Sequence, residues 1–167
     1  LQVRQYVDTR RSHVAVLLSL DLDQYADAEE FELAVSCAAS VAQQAARDEQ
    51  TLSVFAGDVR LVAGRGRSLL DRFSELEPGP GAGGVASAVR ALHRLAPDAS
   101  VAVACTGSRA TVAGLQACFS SLHAGLAAVA FVADASAEPA VRRVGSTAFV
   151  SVPHLDTLSR NLGAVAA

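Results

Sequence analysis

Two acidic residues stand two positions apart at the end of the most apolar run in the sequence. Asp21 and Asp23 follow residues 14–20, which are almost all apolar. Paired carboxylates are suitable ligands for a hard divalent cation, and such a pair can also carry out acid–base chemistry. The same aspartates could instead only cap their loop and the next helix. The residue types alone leave these three interpretations open.

The apolar run must position the two aspartates, and its pattern favours a strand. A continuous apolar run of this length is typical of a strand buried on both faces of a parallel sheet. One long helix is disfavoured because a separate helix start follows, with Asp27 as its cap and Glu30 three residues later. In open α/β sheets, ligands bind beyond the carboxyl ends of the strands. We therefore expect the aspartates and Tyr25 at such an edge.

Composition narrows the class of protein. The 167 residues suit one domain with a sizeable core, and 51% of them are hydrophobic. All 14 basic residues are arginine, which excludes P-loop and Schiff-base lysines. A net charge of −3 without a basic stripe argues against nucleic-acid binding, and no apolar run of 18 residues occurs. Cys37, Cys105 and Cys118 are predicted to be buried thiols of a reducing compartment rather than disulfides or zinc ligands.

The remaining chain alternates between predicted strands and predicted helices. Helices are expected at residues 28–47, 67–76, 85–95 and 109–122, and strands at residues 51–56, 59–63, 101–105, 126–132 and 147–152. Gly57 and Asp58 indicate a hairpin turn. Residues 137–144 are predicted to be a short helix or turn, and Pro153 to begin a last helix with Leu155, Leu158, Leu162 and Val165 facing inward. The predicted fold is a three-layer, doubly wound, mostly parallel α/β sheet with one antiparallel edge strand, of the Rossmann-like type.

The other motifs with catalytic potential are incomplete. Residues 79–84 match G-x-G-x-x-G, but a helix rather than a strand precedes them, so we interpret the segment as a mobile loop at the carboxyl edge. The four histidines are scattered and are expected to be structural or solvated. Thr106 and Ser108 could bind an anion at the start of the next helix or simply cap it. No G-x-S-x-G nucleophile elbow is present, and we predict that the protein is not an enzyme.

The arrangement of these elements resembles a known family. With Asp21-Leu-Asp23-Gln-Tyr25 at the first strand end and a hairpin after the first helix, the chain resembles a von Willebrand factor A-like domain. The opening LQVRQYVDTRRSHVAVLLSLD is similar to the bacterial domain-of-unknown-function family 58. The resemblance covers essentially the whole chain. It assigns residues 13–167 to the A-like domain and residues 1–12 to a connection from an upstream region, which a chain starting at Leu1 is expected to lack.

The resemblance implies a degenerate metal-ion-dependent adhesion site. The family pattern is Asp-x-Ser-x-Ser, joined by a Thr from a loop and an Asp after a later strand. Here the five positions fall on Asp21, Asp23, Tyr25, Val85 (beside Gly84) and Thr106. Val85 cannot coordinate a metal and Tyr25 is bulky. Asp21, Asp23 and Thr106 therefore remain as candidate ligands for Mg²⁺ or Mn²⁺, and no other cofactor is expected.

The resemblance also implies a context, and three hypotheses follow. Members of the family are often found with a MoxR-type AAA+ ATPase, in assembly or chaperone-like work on the cytoplasmic side, with membrane segments upstream. The first hypothesis is a non-enzymatic protein-interaction module. Its partner-binding edge would combine Asp21, Asp23, Tyr25, Gly84, Val85, Thr106, Ser108 and Asp134. The second is a functional Mg²⁺- or Mn²⁺-dependent adhesion domain. The third is a small-molecule or phosphoryl-transfer enzyme that uses Asp21 and Asp23.

Overall fold

A seven-stranded mixed sheet forms the centre of the protein. The computed structural model describes residues 12–62 and 66–158. The strand order is β3-β2-β1-β4-β5-β7-β6, in which β1, β2, β4, β5 and β7 are parallel and the two edge strands are antiparallel to their neighbours. The strands are β1 (His13–Leu18), β2 (Thr51–Ala56), β3 (Val59–Leu61), β4 (Val101–Gly107), β5 (Ala127–Ala133), β6 (Ala140–Val144) and β7 (Thr147–Val152).

Helices cover both faces of this sheet and make the fold three-layered. They are α1 (Ala28–Arg47), α2 (Arg67–Ser74), α3 (Val85–Leu95) and α4 (Val112–Phe119). The α1 face is built by α1 and α2 and by a helical turn at residues 155–158, whose Leu158 joins the same core cluster. The opposite face is built by α3 and α4. No helix within residues 12–62 and 66–158 has the length and apolar character needed to cross a membrane.

The strands are apolar on both sides because each side has its own core. Successive side chains of a strand point to opposite faces of the sheet. In β1, Val16 packs on the α1 face and Leu17 on the α3 face, and both are fully buried. A helix on the surface of the sheet, in contrast, needs only one apolar face. The buried face of α1 carries Phe31, Ala34, Val35, Ala38 and Val41. The predicted α/β sheet is therefore confirmed.

The structure corrects the sequence prediction in three places. Residues 137–144 contain a strand, β6, rather than a helix or turn, so the sheet has two antiparallel edge strands rather than one. Helix α4 begins at Val112, because Thr111 caps it by accepting the Gly114 N–H (3.0 Å). Strand β4 continues through Thr106 to Gly107. The predicted positions of Ala63, Leu162 and Val165, and the connection at residues 1–12 apart from Ser12, lie outside the described residues.

The chain reverses its direction of winding between β1 and β4. From β1 it moves outward to β2, and from β4 it moves the opposite way to β5. The loops that leave the carboxyl ends of these two adjacent strands therefore separate. The crevice that results is the usual ligand site of doubly wound sheets.

Candidate functional site

A crevice of about 360 Å³ opens where the loops after β1 and β4 separate. Its wall on the β1 side carries Asp21 and Gln24, and Arg109 lies on the β4 side. The amino ends of α3 and α4 close it, with Gly84 and Thr111 as the capping residues. The crevice thus lies at the predicted edge of the sheet. Of the residues expected to form that edge, only Asp21, Gly84 and Val85 line it.

Gln24 lines the crevice between the end of β4 and the start of α3. The Thr106 hydroxyl, fully buried at the end of β4, donates a hydrogen bond to Gln24 Oε1 (2.8 Å). A Cβ atom at Gly84 would stand 2.7 Å from Gln24 Nε2, so the amide fits only because Gly84 has no side chain. The Gln24 carbonyl also accepts the Arg109 N–H (3.1 Å). The side chain and the backbone carbonyl of Gln24 therefore join the β1 loop to the end of β4, to the loop after it and to the start of α3, and no local sequence pattern indicated this role.

The two aspartates belong to a tight turn. Asp21 caps a short 3-10 helix, Leu22–Gln24, and its Oδ1 accepts the Asp23 N–H (3.1 Å). The backbone of Asp21 also forms a bridge with Gly79. The Gly79 N–H donates to the Leu20 carbonyl (3.0 Å), and the Leu20 N–H donates to the Gly83 carbonyl (3.0 Å). The glycine-rich loop therefore lies at the carboxyl edge as predicted, and these backbone bonds attach it to the end of β1.

Tyr25 points away from the crevice into the core. Its ring is 2% exposed and meets Phe31 edge-on, with centroids 5.3 Å apart. Its hydroxyl donates to the Ser19 carbonyl (2.6 Å). Burial is the largest cause that raises the pKa of Tyr25 far above its ordinary value. The phenol is therefore neutral, and it serves as a structural donor instead of presenting a ligand at the surface.

Glu30 fastens the β4 loop to the start of α1. Its carboxylate Oε2 accepts the Ala26 N–H (2.9 Å) and the Ser108 N–H (3.0 Å), and the side chain is buried. Asp27 caps α1 by accepting the Glu30 N–H (2.9 Å), as predicted. In a reciprocal capping box, the glutamate side chain would accept the backbone N–H of its own cap residue, here Asp27. Here Glu30 instead accepts from Ala26 and from the loop after β4, so the Ser108 N–H is already engaged, and the cap of α4 is Thr111 rather than Ser108.

Gly107 makes this contact between loops sterically feasible. A Cβ atom there would collide with the Gln24 carbonyl oxygen and the Tyr25 ring, and would lie 2.9 Å from Glu30 Oε2. The first two obstacles are backbone and a buried ring, which cannot move aside. The close approach of the β4 end to the β1 loop therefore requires glycine at this position.

Of the remaining predicted edge residues, only Val85 contacts the crevice, and it is 1% exposed and belongs to the α3-face core. Asp134 follows β5 and accepts two hydrogen bonds from Ser136, from the N–H (2.9 Å) and the hydroxyl (2.6 Å). Asp23 is exposed outside the crevice. The eight predicted residues therefore lie along one edge of the sheet without forming one site.

The residues of the predicted metal site do not fit a five-ligand adhesion site as they are arranged. Tyr25 turns its hydroxyl inward, Val85 is a core residue, and the Thr106 hydroxyl donates its proton to Gln24. Within the described ranges, no three His, Cys, Asp or Glu side chains are grouped as metal ligands. A cation held by Asp21 and Thr106 would require Gln24 to leave its position.

A second polar cluster lies at the amino edge of the sheet, at the other end of β1, whose six residues span about 17 Å. His13 places Nδ1 3.1 Å from Asp98 Oδ2 and Nε2 2.8 Å from Ser53 Oγ. Arg60 donates to the same Ser53 oxygen (3.2 Å). The order Asp–His–Ser resembles a hydrolase triad, but Ser53 is 2% exposed and His13 is 8% exposed. The cluster therefore joins β1, β2, β3 and the turn before β4, as expected for a structural histidine.

The thiols largely follow the prediction. Cys37 and Cys105 are buried and free, and burial raises the pKa of Cys37 to about 12. Cys118 is also free, but it is partly exposed at the wall of the crevice, unlike the buried position predicted for it. Protonated core thiols behave as small apolar side chains.

Comparison with protein-family models, with curated proteins and with solved structures found no significant match for this chain. The resemblance to von Willebrand factor A-like domains therefore rests on the sequence pattern and remains a prediction. The Rossmann-like α/β architecture stands independently on the strand order.

Proposed function

We propose that the chain is a non-enzymatic protein-interaction module of the von Willebrand factor A-like type, with a degenerate metal-ion-dependent adhesion site. Its partner binds at the carboxyl edge of the sheet, over the crevice between β1 and β4. A MoxR-type AAA+ ATPase on the cytoplasmic side is the partner that the family resemblance suggests, in assembly or chaperone-like work.

The observation that carries this proposal is the position of Gln24. At the switch point of the sheet, Gln24 accepts the Thr106 hydroxyl (2.8 Å) and packs against Gly84. An internal hydrogen bond thus engages both the Thr106 hydroxyl and the Gln24 amide oxygen beside the crevice. A surface held in shape in this way favours recognition of a partner, because little ordering entropy remains to be lost on binding.

Exposed side chains next to the crevice supply the contacts for such a partner. Leu22 is 39% exposed, Asp23 is exposed beside it in the same turn, and Arg109 is exposed on the β4 loop. An apolar side chain flanked by opposite charges resembles the core and rim of a small transient interface. These three side chains make no hydrogen bond through their side-chain atoms within the described part of the chain, so a partner can engage them without breaking an internal contact.

The test measures binding of a MoxR-type ATPase from the same genome to the full chain, by biolayer interferometry. Leu22→Ser and Arg109→Ala are expected to weaken binding at least about tenfold, as for central interface residues. Arg47→Ala is the matched control, because Arg47 is an exposed arginine at the end of α1, at the opposite edge of the sheet. Retention of full affinity in a panel of edge variants that also includes Asp21→Ala would refute this assignment.

The metal-dependent alternative is tested by measuring metal binding directly. Calorimetric titration of Mg²⁺ and Mn²⁺ into the chain is expected to show no saturable binding at millimolar metal. Gln24→Ala removes the amide that occupies the base of the crevice, and Asp21→Ala removes the one aspartate that matches the family pattern. Saturable binding that Asp21→Ala abolishes would establish the adhesion-type metal site instead. Metal-independent turnover lost in both Asp21→Ala and Asp23→Ala would favour the phosphoryl-transfer hypothesis.

A further inference from the structure

The edge strand β6 is exposed along almost its whole length and is longer than the other described edge strand, β3. Its residues Ala140, Val141, Arg142 and Arg143 are all exposed, and Val144 is half-buried. It pairs with β7 on one side and, among the described strands, with none on the other. We propose that β6 is a docking strand for an acidic, extended segment of a partner protein, which adds to the sheet as an eighth strand. This surface is separate from the crevice of the proposed function.

The free edge of β6 presents backbone groups from two residues. A two-residue turn joins Val144 to Thr147, so these two residues form a hydrogen-bonded pair. In an antiparallel ladder such pairs alternate with non-hydrogen-bonded pairs. Arg142 opposite Phe149 is therefore the next hydrogen-bonded pair, and the N–H and C=O groups of Val141 and Arg143 point outward. Four backbone groups are available to an added strand.

The side chains of β6 determine which charge the added strand of the partner must carry. Arg143 lies on the α1 face, where it lines a groove of about 390 Å³ together with Gln44 and Asp48 of α1. Arg142 points to the other face by strand alternation. Neither arginine forms an ion pair with another described residue. The nearest acidic residue in sequence is Glu138, two positions before the strand. An added strand therefore meets a positive charge on each of its faces.

These positions specify a short sequence pattern. In an antiparallel pair, residues directly opposite share a face and interact. The residues opposite Arg143, Arg142 and Val141 would be, in chain order, acidic, acidic and β-branched, as in Glu-Glu-Val. A second copy of this chain fits less well, because two-fold pairing centred on Arg142 would place that arginine opposite its own copy. The opposite sheet edge offers no equivalent, since β3 has three residues and its Arg60 already binds Ser53.

The test uses a peptide with Thr-Glu-Glu-Val-Thr at its centre and follows the full chain by NMR. Chemical-shift changes are expected at Val141 and Arg143 when the peptide is added. These changes should become smaller as the salt concentration is raised. Arg142→Gln with Arg143→Gln should reduce affinity about fivefold or more, from two cross-strand charge pairs. The control is Arg90→Gln with Arg94→Gln on α3, which changes the net charge equally and should leave binding unchanged.

Val141→Pro separates strand addition from charge attraction. It removes one outward N–H and none of the bonds to β7, so the domain should fold and lose the peptide. If circular dichroism shows that this variant does not fold, the test rests on the peptide affinity of the Arg142→Gln with Arg143→Gln variant. Absent binding, equal binding of a Thr-Lys-Lys-Val-Thr peptide, or equal losses in the arginine pair and its control would overturn the proposal. Self-association through β6 in sedimentation would do the same, in favour of a second copy. Asp21→Ala and Leu22→Ser should not affect the peptide, which distinguishes this site from the crevice.

Discussion

Neighbouring segments of the chain are held together by different kinds of group at the carboxyl edge and at the amino edge of the sheet. At the carboxyl edge, the buried Glu30 carboxylate joins the loops from β1 and β4, and the buried Tyr25 hydroxyl bonds to Ser19 within the β1 loop. At the amino edge, the buried side chain of His13 meets Asp98, which is largely exposed to water. The arrangement at the carboxyl edge is sensitive to shape, whereas the one at the amino edge, with its exposed carboxylate, is sensitive to pH. Substitutions at the two edges should therefore differ in size and in kind.

The largest effect is expected at Gly107. Gly107→Ala forces a Cβ against the Gln24 carbonyl and the Tyr25 ring, neither of which can yield. We expect a loss of about 3 kcal/mol in unfolding free energy, at the upper end for overpacking, measured by urea denaturation. Gly125→Ala is the control, because its nearest neighbour is the His123 ring at 3.5 Å, an ordinary contact. Equal stability of the two variants would show that the loops do not meet as described.

Tyr25→Phe should give the next largest effect. It keeps the ring and its contact with Phe31 but leaves the buried Ser19 carbonyl without this hydroxyl donor. The expected cost is about 1–2 kcal/mol. Phe31→Leu provides a comparison that changes the packing and leaves the hydrogen bond intact. A Tyr25→Phe variant as stable as the parent protein would mean that the hydroxyl contributes nothing at this edge.

Ser53→Ala tests the amino edge by the same measurement. Ser53 is buried, and its hydroxyl oxygen contacts both His13 and Arg60. We expect a loss of about 1 kcal/mol, smaller than that of Tyr25→Phe because His13 keeps Asp98 as a partner. A larger loss than at Tyr25 would reverse the proposed ranking of the two edges.

Asp98→Asn should have the smallest effect, and that effect should depend on pH. The hydrogen bond with His13 is the main cause that lowers the pKa of Asp98 below its ordinary value, followed by a backbone hydrogen bond at Asp98 itself. A carboxyl group whose pKa is lower in the folded state stabilises the protein above its unfolded-state pKa, and this contribution disappears as pH falls through the folded-state value. The stability difference between parent and variant should thus be present at pH 7 and vanish at strongly acidic pH. A difference that stays constant across this range would contradict the assignment.

Elements with strong local patterns were predictable from the sequence. Helices α1 and α3 have the bounds that their apolar periodicity predicted, and the buried run of β1 identified the centre of the sheet. Strand β6 was missed because Ala140–Val144 is short, carries two arginines and is exposed on both faces, so it lacks alternation. Its one local indication was the two-residue turn at Gly145 and Ser146.

The sequence by itself determined the sheet, the order of its helices and the edge at which Asp21 and Asp23 lie. Each of these follows from residues close together in the chain. Only the tertiary structure decided that Gln24 lines the crevice and bonds to Thr106, since this partner lies 82 positions away. Glu30 likewise meets Ser108 across 78 positions. No local pattern encodes such pairs, because they exist only once β1 and β4 lie side by side.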